Sequence, residues 1–313
     1  MHTATTRLAP SPTGALHLGN ARTFLVNWLL ARQRGWRIAL RVEDLDGPRI
    51  KRGADLHAIE DLRWLGIDWD EGPFYQSSRR PAYDGAVARL TESGHTFICT
   101  CSRKDVEQAA SAPHASDGAA VYPGTCRNAR HEPPPGAPFA VRFRVPDQVI
   151  MFDDAFAGRQ SFDVARQLGD FVIAKADGTV AYQLAVVVDD AAQGVTHVVR
   201  GDDLLDSTPR QMLLYRALGL ADRIPTHFHL PLVAGPDGRR LAKRHGDTRL
   251  ASYRDGGVPA GRVLKLLASW CGIDDVPGDD VRAAADLVER FDLARLPRTP
   301  IVFDARATTL RSD

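Results

Sequence analysis

Apolar positions along this chain alternate between helical and strand spacing from the first turn onward. Thr3 to Ala9 has the pattern of a short strand and breaks at a Pro10/Pro12/Gly14 turn. From Leu16 to Arg34, the residues Leu18, Ala21, Leu25, Trp28 and Leu29 share one helical face, and Gly35 supplies a C-terminal cap. Trp36 to Glu43 then places Ile38, Leu40 and Val42 on one side of a second strand. A strand–turn–helix–strand opening predicts an α/β fold with a doubly wound parallel sheet. Asp55 to Leu65 predicts another amphipathic helix, followed by a Gly66/Gly72/Pro73 loop. Arg80 to Ser93 predicts a further helix ending at Gly94.

The pattern changes after that point. Thr100 to Pro138 is rich in Cys, Ala, Gly, Pro and basic residues, and Glu132 to Gly136 reads as a stiff exposed linker. Strand-like runs follow at Ala140 to Val145, Phe171 to Ala174, Tyr182 to Val188 and Thr196 to Arg200. Gly201 to Thr208 is an acidic turn, with Thr208 as N-cap of a helix from Pro209 to Leu218. A basic loop, Arg239-Arg240-Leu241-Ala242-Lys243-Arg244-His245-Gly246, comes next. The remainder is expected to be helical to the end, broken at Pro297 and Pro300. These shifts divide the chain at 1–97, 98–190, 191–247 and 248–313.

The 313 residues carry a net charge of +1, so nucleic acid, if bound, must be met by a local basic face. No apolar run approaches the length of a membrane span, and the N-terminus lacks a signal-peptide core, so a cytoplasmic location without membrane contact is expected. Four cysteines are too few for a disulfide framework. Cys271 sits alone in an apolar stretch and reads as a small core residue. Cys99, Cys101 and Cys126 fall close together and offer three thiolates to a metal ion. Tyr122, His114 and His131 are rival fourth ligands.

In a doubly wound sheet, ligands gather at the carboxyl ends of the strands beside helix N-termini. The Pro12-Thr13-Gly14 turn and His17 fall at such a place. There, unpaired backbone N–H groups favour an anion and His17 can donate to a phosphate. Gly19 leaves room for a base or ribose. Lys243, on a flexible basic loop, can follow charge that builds on leaving phosphates. Neither a Gly-x4-Gly-Lys-Ser/Thr loop nor a Gly-x-Gly-x-x-Gly fingerprint is present, so P-loop and dehydrogenase chemistry lose support.

Arg7 to Asn20 and Arg240 to Arg244 resemble the two signature motifs of class I aminoacyl-tRNA synthetases. Arg41-Val42-Glu43-Asp44-Leu45-Asp46, Tyr182 to Asp190 and Val199-Arg200-Gly201-Asp202-Asp203 narrow the resemblance to the glutamyl branch. The Cys-x-Cys…Tyr-x3-Cys cluster, and the short stretch after the basic loop, are similar to the glutamyl-Q tRNA(Asp) synthetases, which lack an anticodon-binding domain. The resemblance implies a Rossmann-like class I catalytic domain in two halves, a zinc-containing insertion resembling an acceptor-binding subdomain, and a C-terminal helical region resembling a stem-contact domain. It implies an enzyme of the ligase type. Glutamate would be activated by ATP without tRNA and then transferred to queuosine at the wobble position of tRNA(Asp).

The same resemblance implies the site. Arg7, Ser11, Glu43, Tyr182 and Arg200 would hold glutamate: Glu43 for the α-ammonium, and the two guanidiniums for carboxylates, Arg7 for that of the side chain. Pro10, Thr13, Gly14, His17, Gly19, Asn20, Leu241 and Lys243 would hold ATP, with His17 and Lys243 acting on the phosphates and Mg²⁺ accompanying them. Cys99, Cys101, Tyr122 and Cys126 would hold a structural Zn²⁺. A monomer is expected. Three positions depart from the family's pattern: Asn20 where His or Gly is usual, Ala242 where Ser is usual, and Gln183 where Asn is common. The rival functions are a truncated glutamyl-tRNA synthetase charging tRNA(Glu), a small-molecule nucleotidyltransferase, and a non-catalytic zinc- and tRNA-binding paralogue.

Overall fold

The structure is a computed structural model and describes residues 4–110, 121–129, 136–239, 241, 247–274 and 281–304. It opens with strand β1 (Thr5–Leu8), helix α1 (Leu18–Arg34) and strand β2 (Arg37–Val42). β1 and β2 are parallel, with Arg7 opposite Ala39. Every residue of β1 is buried, as expected of a parallel strand covered on both faces. Helix α1 ends at Gly35, whose φ of 64° is the left-handed conformation that glycine adopts without a Cβ penalty. Helix α2 (Ala54–Trp64) leads to β3 (Glu71–Tyr75), which pairs parallel to β2. Gly72 and Pro73 were expected in a loop but lie in this strand. β3 pairs only with β2 among the described strands, and an edge position tolerates a residue that cannot donate.

Helix α3 (Arg80–Glu92) precedes β4 (Thr96–Cys99) and α4 (Arg103–Ala110). Next come β5 (Ala140–Phe143), β6 (Val149–Asp154), β7 (Gly158–Asp163), α5 (Val164–Gln167) and β8 (Phe171–Ala174). β4, β5 and β8 form an antiparallel sheet in that order, and β6 and β7 form a hairpin. The hairpin touches the parallel strands at its tip, where Ala155 N–H donates to the His227 carbonyl at 2.8 Å.

The chain then makes α6 (Tyr182–Ala192), β9 (His197–Gly201), α7 (Ser207–Ala217), β10 (Thr226–Leu230), β11 (Val233–Ala234), α8 (Leu250–Asp255), α9 (Ala260–Ser269) and β12 (Ile301–Val302). β9 and β10 are parallel. Thr196 N–H donates to the Thr5 carbonyl at 2.9 Å and sets β9 alongside β1. The parallel strands thus run β3–β2–β1–β9–β10, the doubly wound arrangement expected from the opening pattern.

Three local expectations are corrected. Tyr182 to Val188 is helical, not a strand. Leu184 to Val187 are all buried between α3 and α7, so a helix apolar on every side shows no 3.6-residue alternation, and three consecutive valines mimic a strand. Thr208 does not cap α7: it lies within the first turn, wholly buried, and bonds a guanidinium instead. The C-terminal part is not helical throughout, because β12 pairs parallel with β11.

Among the described residues two large apolar clusters dominate, with a small third one around Phe97, Cys99, Tyr122 and Cys126. One packs α1 against β1, β2 and the C-terminal helices through Leu8, Leu25, Leu29, Leu40, Leu264 and Leu267. The other packs α3, α6 and α7 on the antiparallel sheet through Tyr83, Leu184, Val187, Leu214, Phe143 and Ile173. Full burial of each such side chain is worth roughly 1.5–3 kcal/mol. The carboxyl ends of β1, β2 and β9 lie in the seam between the clusters.

Candidate active site

Strand geometry brings three guanidiniums into that seam. Arg7 stands on β1, Arg41 on β2 and Arg200 on β9, and all three are buried. Arg7 donates through Nη1 to the Val199 carbonyl at 3.4 Å, and its Nε lies 3.6 Å from Asp190 Oδ1. Arg41 donates to the same Asp190 oxygen at 2.6 Å and to Gln193 at 3.0 Å, and its Nη2 lies 3.5 Å from Glu43. Burial and its Arg41 and Arg200 neighbours hold the Arg7 pKa below the usual guanidinium range, although Asp190 opposes this. Burial pulls Arg41 the same way, but Asp190 and Glu43 outweigh it and raise its pKa.

Glu43 ends the β2 run. Its backbone N–H donates to the Pro10 carbonyl at 3.0 Å, and its carbonyl accepts the Ser11 hydroxyl at 3.3 Å. Burial pushes the Glu43 carboxyl up, against the pull of Arg41 and Arg7. Tyr182 opens α6, and burial raises its phenol even though Arg200 and Arg7 are near enough to pull it down. The sequence-predicted residues Arg7, Glu43, Tyr182 and Arg200 therefore meet in one electrostatic cluster, with Ser11 bracing its rim.

Helix α6 is also fixed by its other acidic residue. Asp189 accepts from Gln76 at 2.8 Å, Arg79 at 2.6 Å and Tyr83 at 2.8 Å. Within the cluster, Arg7, Arg41 and Arg200 face Asp190 and Glu43, a surplus of one positive charge. Arg7 Nε, Arg41 Nε and Nη2, and Arg200 Nη1 are buried without hydrogen-bond partners. Such orphaned donors are costly unless a ligand supplies acceptors. A small zwitterion with two carboxylates and one ammonium matches both the surplus and the donors.

A cavity of about 200 Å³ adjoins this cluster. His17, Gly19, Asn20, Thr23 and Phe24 form one wall, and Gly201, Asp203, Leu204, Leu232 and Val233 the other. His17 caps α1: its Nδ1 accepts the N–H groups of Gly19 at 3.1 Å and Asn20 at 3.4 Å. The neutral ring therefore carries its proton on Nε2, the donor a phosphate needs. Asn20 returns the bond, its Oδ1 accepting His17 N–H at 3.4 Å. At Gly201 a Cβ would meet Asp203 Oδ1 at 2.6 Å and Leu232 Cδ2 at 2.7 Å, so any larger residue would displace two side-chain ends of the opposite wall. Pro10, Thr13 and Gly14 belong to the turn before α1 and do not line this cavity.

Lys243 lies outside the described residues, but both ends of its loop are fixed. Leu241 is buried and donates to the Val233 carbonyl at 3.0 Å. On the far side, Leu18 N–H donates to the Thr248 carbonyl at 3.0 Å, and Leu250 N–H to the Leu16 carbonyl at 2.9 Å. The described residues on either side of the basic loop thus lie at one wall of the cavity and at the start of α1.

The remaining cluster lies at the end of β4. The ligand atoms of Cys99, Cys101 and Cys126 lie within 4.8 Å of one another and could hold a metal ion. The Tyr122 hydroxyl is 3.5 Å from Cys99 Sγ and accepts Cys126 N–H at 2.7 Å, which places a phenol oxygen beside the three sulfurs. Burial opposes the Cys126 thiolate, but the Thr100 N–H, the Tyr122 hydroxyl and the other thiols outweigh it and bring the thiol down to about 6. Three thiols and a phenol in this arrangement fit a tetrahedral ion. His114 and His131 lie outside the described residues. Cys271 is buried, as expected.

Sequence reasoning missed several residues of the site. Arg41, present only as part of a motif and given no role, is wholly buried. Asp189 and Asp190 close an apolar run, which is the sequence signal of a buried acid. Asp154, Thr208 and His229, which surround Arg200, gave no signal of their own.

These features define a class of protein. The family of class I tRNA synthetases for E and Q, catalytic domain, matches residues 3–308, and the chain belongs to it. It is 51% identical to a glutamyl-Q tRNA(Asp) synthetase from Symbiobacterium thermophilum, covering 94% of each chain, and 46% identical to one from Rhodopirellula baltica, covering 99% of each. A glutamate–tRNA ligase from Geobacter sulfurreducens is 42% identical, over 95% of this chain and 63% of that protein. Among solved structures, a glutamate tRNA ligase from Elizabethkingia meningosepticum in complex with its amino acid superposes with a TM-score of 0.82. It is 28% identical, over 97% of this chain and 68% of that one. Among the described residues no helix is long and apolar enough to cross a membrane.

Proposed function

We propose that this chain activates glutamate with ATP in the absence of tRNA, and then transfers it to queuosine at the wobble position of tRNA(Asp). The observation that carries the reading is the adjacency of Arg200 and Gly201 in β9. One residue faces the guanidinium cluster and the next lines the His17 cavity. An amino acid and a nucleotide bound there would sit side by side.

In this reading Glu43 receives the α-ammonium, Arg7 and Arg200 receive carboxylates, and Tyr182 and Ser11 complete the pocket. His17, Gly19 and Asn20 meet the nucleotide, with Pro10, Thr13 and Gly14 in the turn beside them and Leu241 anchoring the loop of Lys243. The α-carboxylate is already a nucleophile, so no general base is needed. Its oxygen bonds to the α-phosphorus as the bond to the bridging oxygen of pyrophosphate breaks. His17 Nε2–H and Lys243 counter charge on the phosphates, and the step is accelerated by positioning and charge neutralisation. Mg²⁺ on ATP supplies further neutralisation when bound. In the second half a queuosine hydroxyl attacks the glutamyl carbonyl and AMP leaves. Glutamine is rejected because its amide cannot satisfy a buried guanidinium as a carboxylate does.

Cys99, Cys101, Tyr122 and Cys126 hold a structural Zn²⁺ in this reading, which fixes the insertion without taking part in the reaction. The insertion and the C-terminal region flank a two-part catalytic domain, and the protein acts as a cytoplasmic monomer.

The test incubates the chain with labelled glutamate, ATP and either tRNA(Asp) carrying queuosine or tRNA(Glu). Glutamate-dependent ATP–pyrophosphate exchange without tRNA, and label on tRNA(Asp), are expected. Label on tRNA(Glu) alone would overturn the reading. Lys243→Ala should abolish exchange while leaving glutamate binding intact.

A further inference from the structure

Arg200 is held differently from its two neighbours. Arg7 and Arg41 share the carboxylate of Asp190. The bonds Arg200 makes are to neutral acceptors: its Nε donates to His229 Nε2 at 2.9 Å, and its Nη2 to the Thr208 hydroxyl at 2.8 Å. Nη1 is buried without a hydrogen-bond partner.

The acceptor character of His229 is imposed from behind. Asp154 sits at the end of β6, and its side chain and that of His229 are both 0% exposed. Asp154 Oδ1 accepts three backbone N–H groups: Phe156 at 3.0 Å, Ala157 at 2.7 Å and His229 at 3.1 Å. Its Oδ2 lies 2.6 Å from His229 Nδ1. Burial disfavours the carboxylate, but these bonds outweigh it and hold the Asp154 pKa below the usual range. An ionised carboxylate only accepts, so Nδ1 must be the N–H. Nε2 of a neutral ring then presents a lone pair to Arg200. A doubly protonated ring would turn an N–H toward the Arg200 Nε–H and set two cations together. Burial already lowers the His229 pKa, and Arg200 adds to that against the pull of Asp154. His227, stacked on the ring at 5.9 Å, is also buried and held well below its ordinary pKa.

We propose that Asp154 and His229 are positioning residues for the amino-acid pocket. By fixing one imidazole tautomer they aim the Arg200 guanidinium through a neutral acceptor, so that its full charge remains available to a substrate carboxylate. A carboxylate in the place of the imidazole would hold the guanidinium equally well and spend its charge. The proposal rests on the reading of Arg200 as a glutamate ligand.

The test compares Asp154→Asn, His229→Gln and His229→Leu with the intact chain in glutamate-dependent ATP–pyrophosphate exchange, taking KM for glutamate and for ATP separately. Asp154→Asn keeps the shape but presents an amide NH₂ to Nδ1, which drives the proton to Nε2 and opposes Arg200. It is expected to raise the glutamate KM roughly tenfold or more, the size of about one lost hydrogen bond to a charged group, with the ATP KM unchanged. His229→Leu should do the same, and His229→Gln, whose amide oxygen can replace Nε2, should recover much of the loss. Equal changes in both KM values, or no change in the glutamate KM, would overturn the proposal. Nitrogen NMR of His229 in the unmodified chain is independent of activity and of variant folding. A neutral ring protonated on Nδ1 at neutral pH is expected; protonation on Nε2 or on both nitrogens would overturn the proposal. Absence of exchange in a chain that shows the expected tautomer would instead refute the assignment of glutamate.

Discussion

Arg41 and Asp190 meet at 2.6 Å with side chains 0% and 3% exposed, and this pair joins β2 to α6 beneath the site. Asp190 serves Arg7 as well, so one carboxylate organises two of the three guanidiniums.

Removing that carboxylate takes the ion-pair partner from Arg7 and leaves Arg41 with Glu43 alone. Asp190→Ala is expected to cost about 3–5 kcal/mol of unfolding free energy. Urea denaturation measures the loss, and calorimetric titration should show glutamate binding disappearing with it. A variant of wild-type stability would mean that water reaches Arg41.

Gly201→Ala tests the nucleotide wall. The added Cβ would fall 2.6 Å from Asp203 Oδ1 and 2.7 Å from Leu232 Cδ2, so these two side-chain ends must move. Displacing flexible ends falls at the low end of overpacking costs, about 1 kcal/mol, which corresponds to a rise of roughly fivefold in the ATP KM if the bound state bears all of it. Steady-state exchange at varied ATP reads the effect.

Asp61 predicts a pH effect on stability. Burial raises its carboxyl to about 6, against the pull of Arg254, whose Nη1 donates to it at 2.8 Å. The folded pKa exceeds the ordinary 3.8, so the fold favours the protonated form. The resulting stability is complete below pH 3.8 and is lost as pH rises through about 6. Asp61→Asn should therefore flatten Tm against pH across this window, as read by calorimetry. An unchanged slope would locate the titration elsewhere.

The proposed zinc donor set predicts a ligand hierarchy. Cys126→Ser should remove bound zinc and lower Tm, because three thiolates become two. Tyr122→Phe should weaken retention against a chelator while keeping the three sulfurs. Metal analysis and melting with and without chelator report both. Full zinc content in Cys126→Ser would rule out this donor set.

Glutamate binding should weaken on acidification above the usual carboxylate range, because burial raises the Glu43 pKa and its protonation removes the partner of the α-ammonium. Calorimetric affinities measured across mildly acidic pH, with Glu43→Gln as the variant lacking this dependence, decide the point.

Much of the fold was legible because its cause is local. The turn at Pro10 to Gly14, the apolar stripe of α1, the left-handed Gly35 and the apolar run of β2 are short-range properties, and they predict the parallel sheet. Arg7, Glu43, Tyr182 and Arg200, which the motif resemblance singled out, do come together in one cluster. The spacing of the cysteines marked three thiols that the fold brings within 4.8 Å of one another. Tyr182 to Val188 misled because a segment buried on all sides shows no amphipathic period. Thr208 has cap chemistry, but its hydroxyl is claimed by a side chain that arrives from β9.

By itself the sequence determined which side chains carry charge, where the amphipathic helices of the first ninety or so residues lie and which loops bear the motifs, since these depend on neighbours within a turn or a strand. Only the tertiary structure decided that Arg41 is buried, that Asp190 serves two guanidiniums and that His229 accepts from Arg200. Those contacts join residues 149, 183 and 29 positions apart, respectively Arg41 to Asp190, Arg7 to Asp190 and Arg200 to His229. Electrostatic partnership depends on distance through space and on exclusion of water, and neither exists until the strands have been brought side by side.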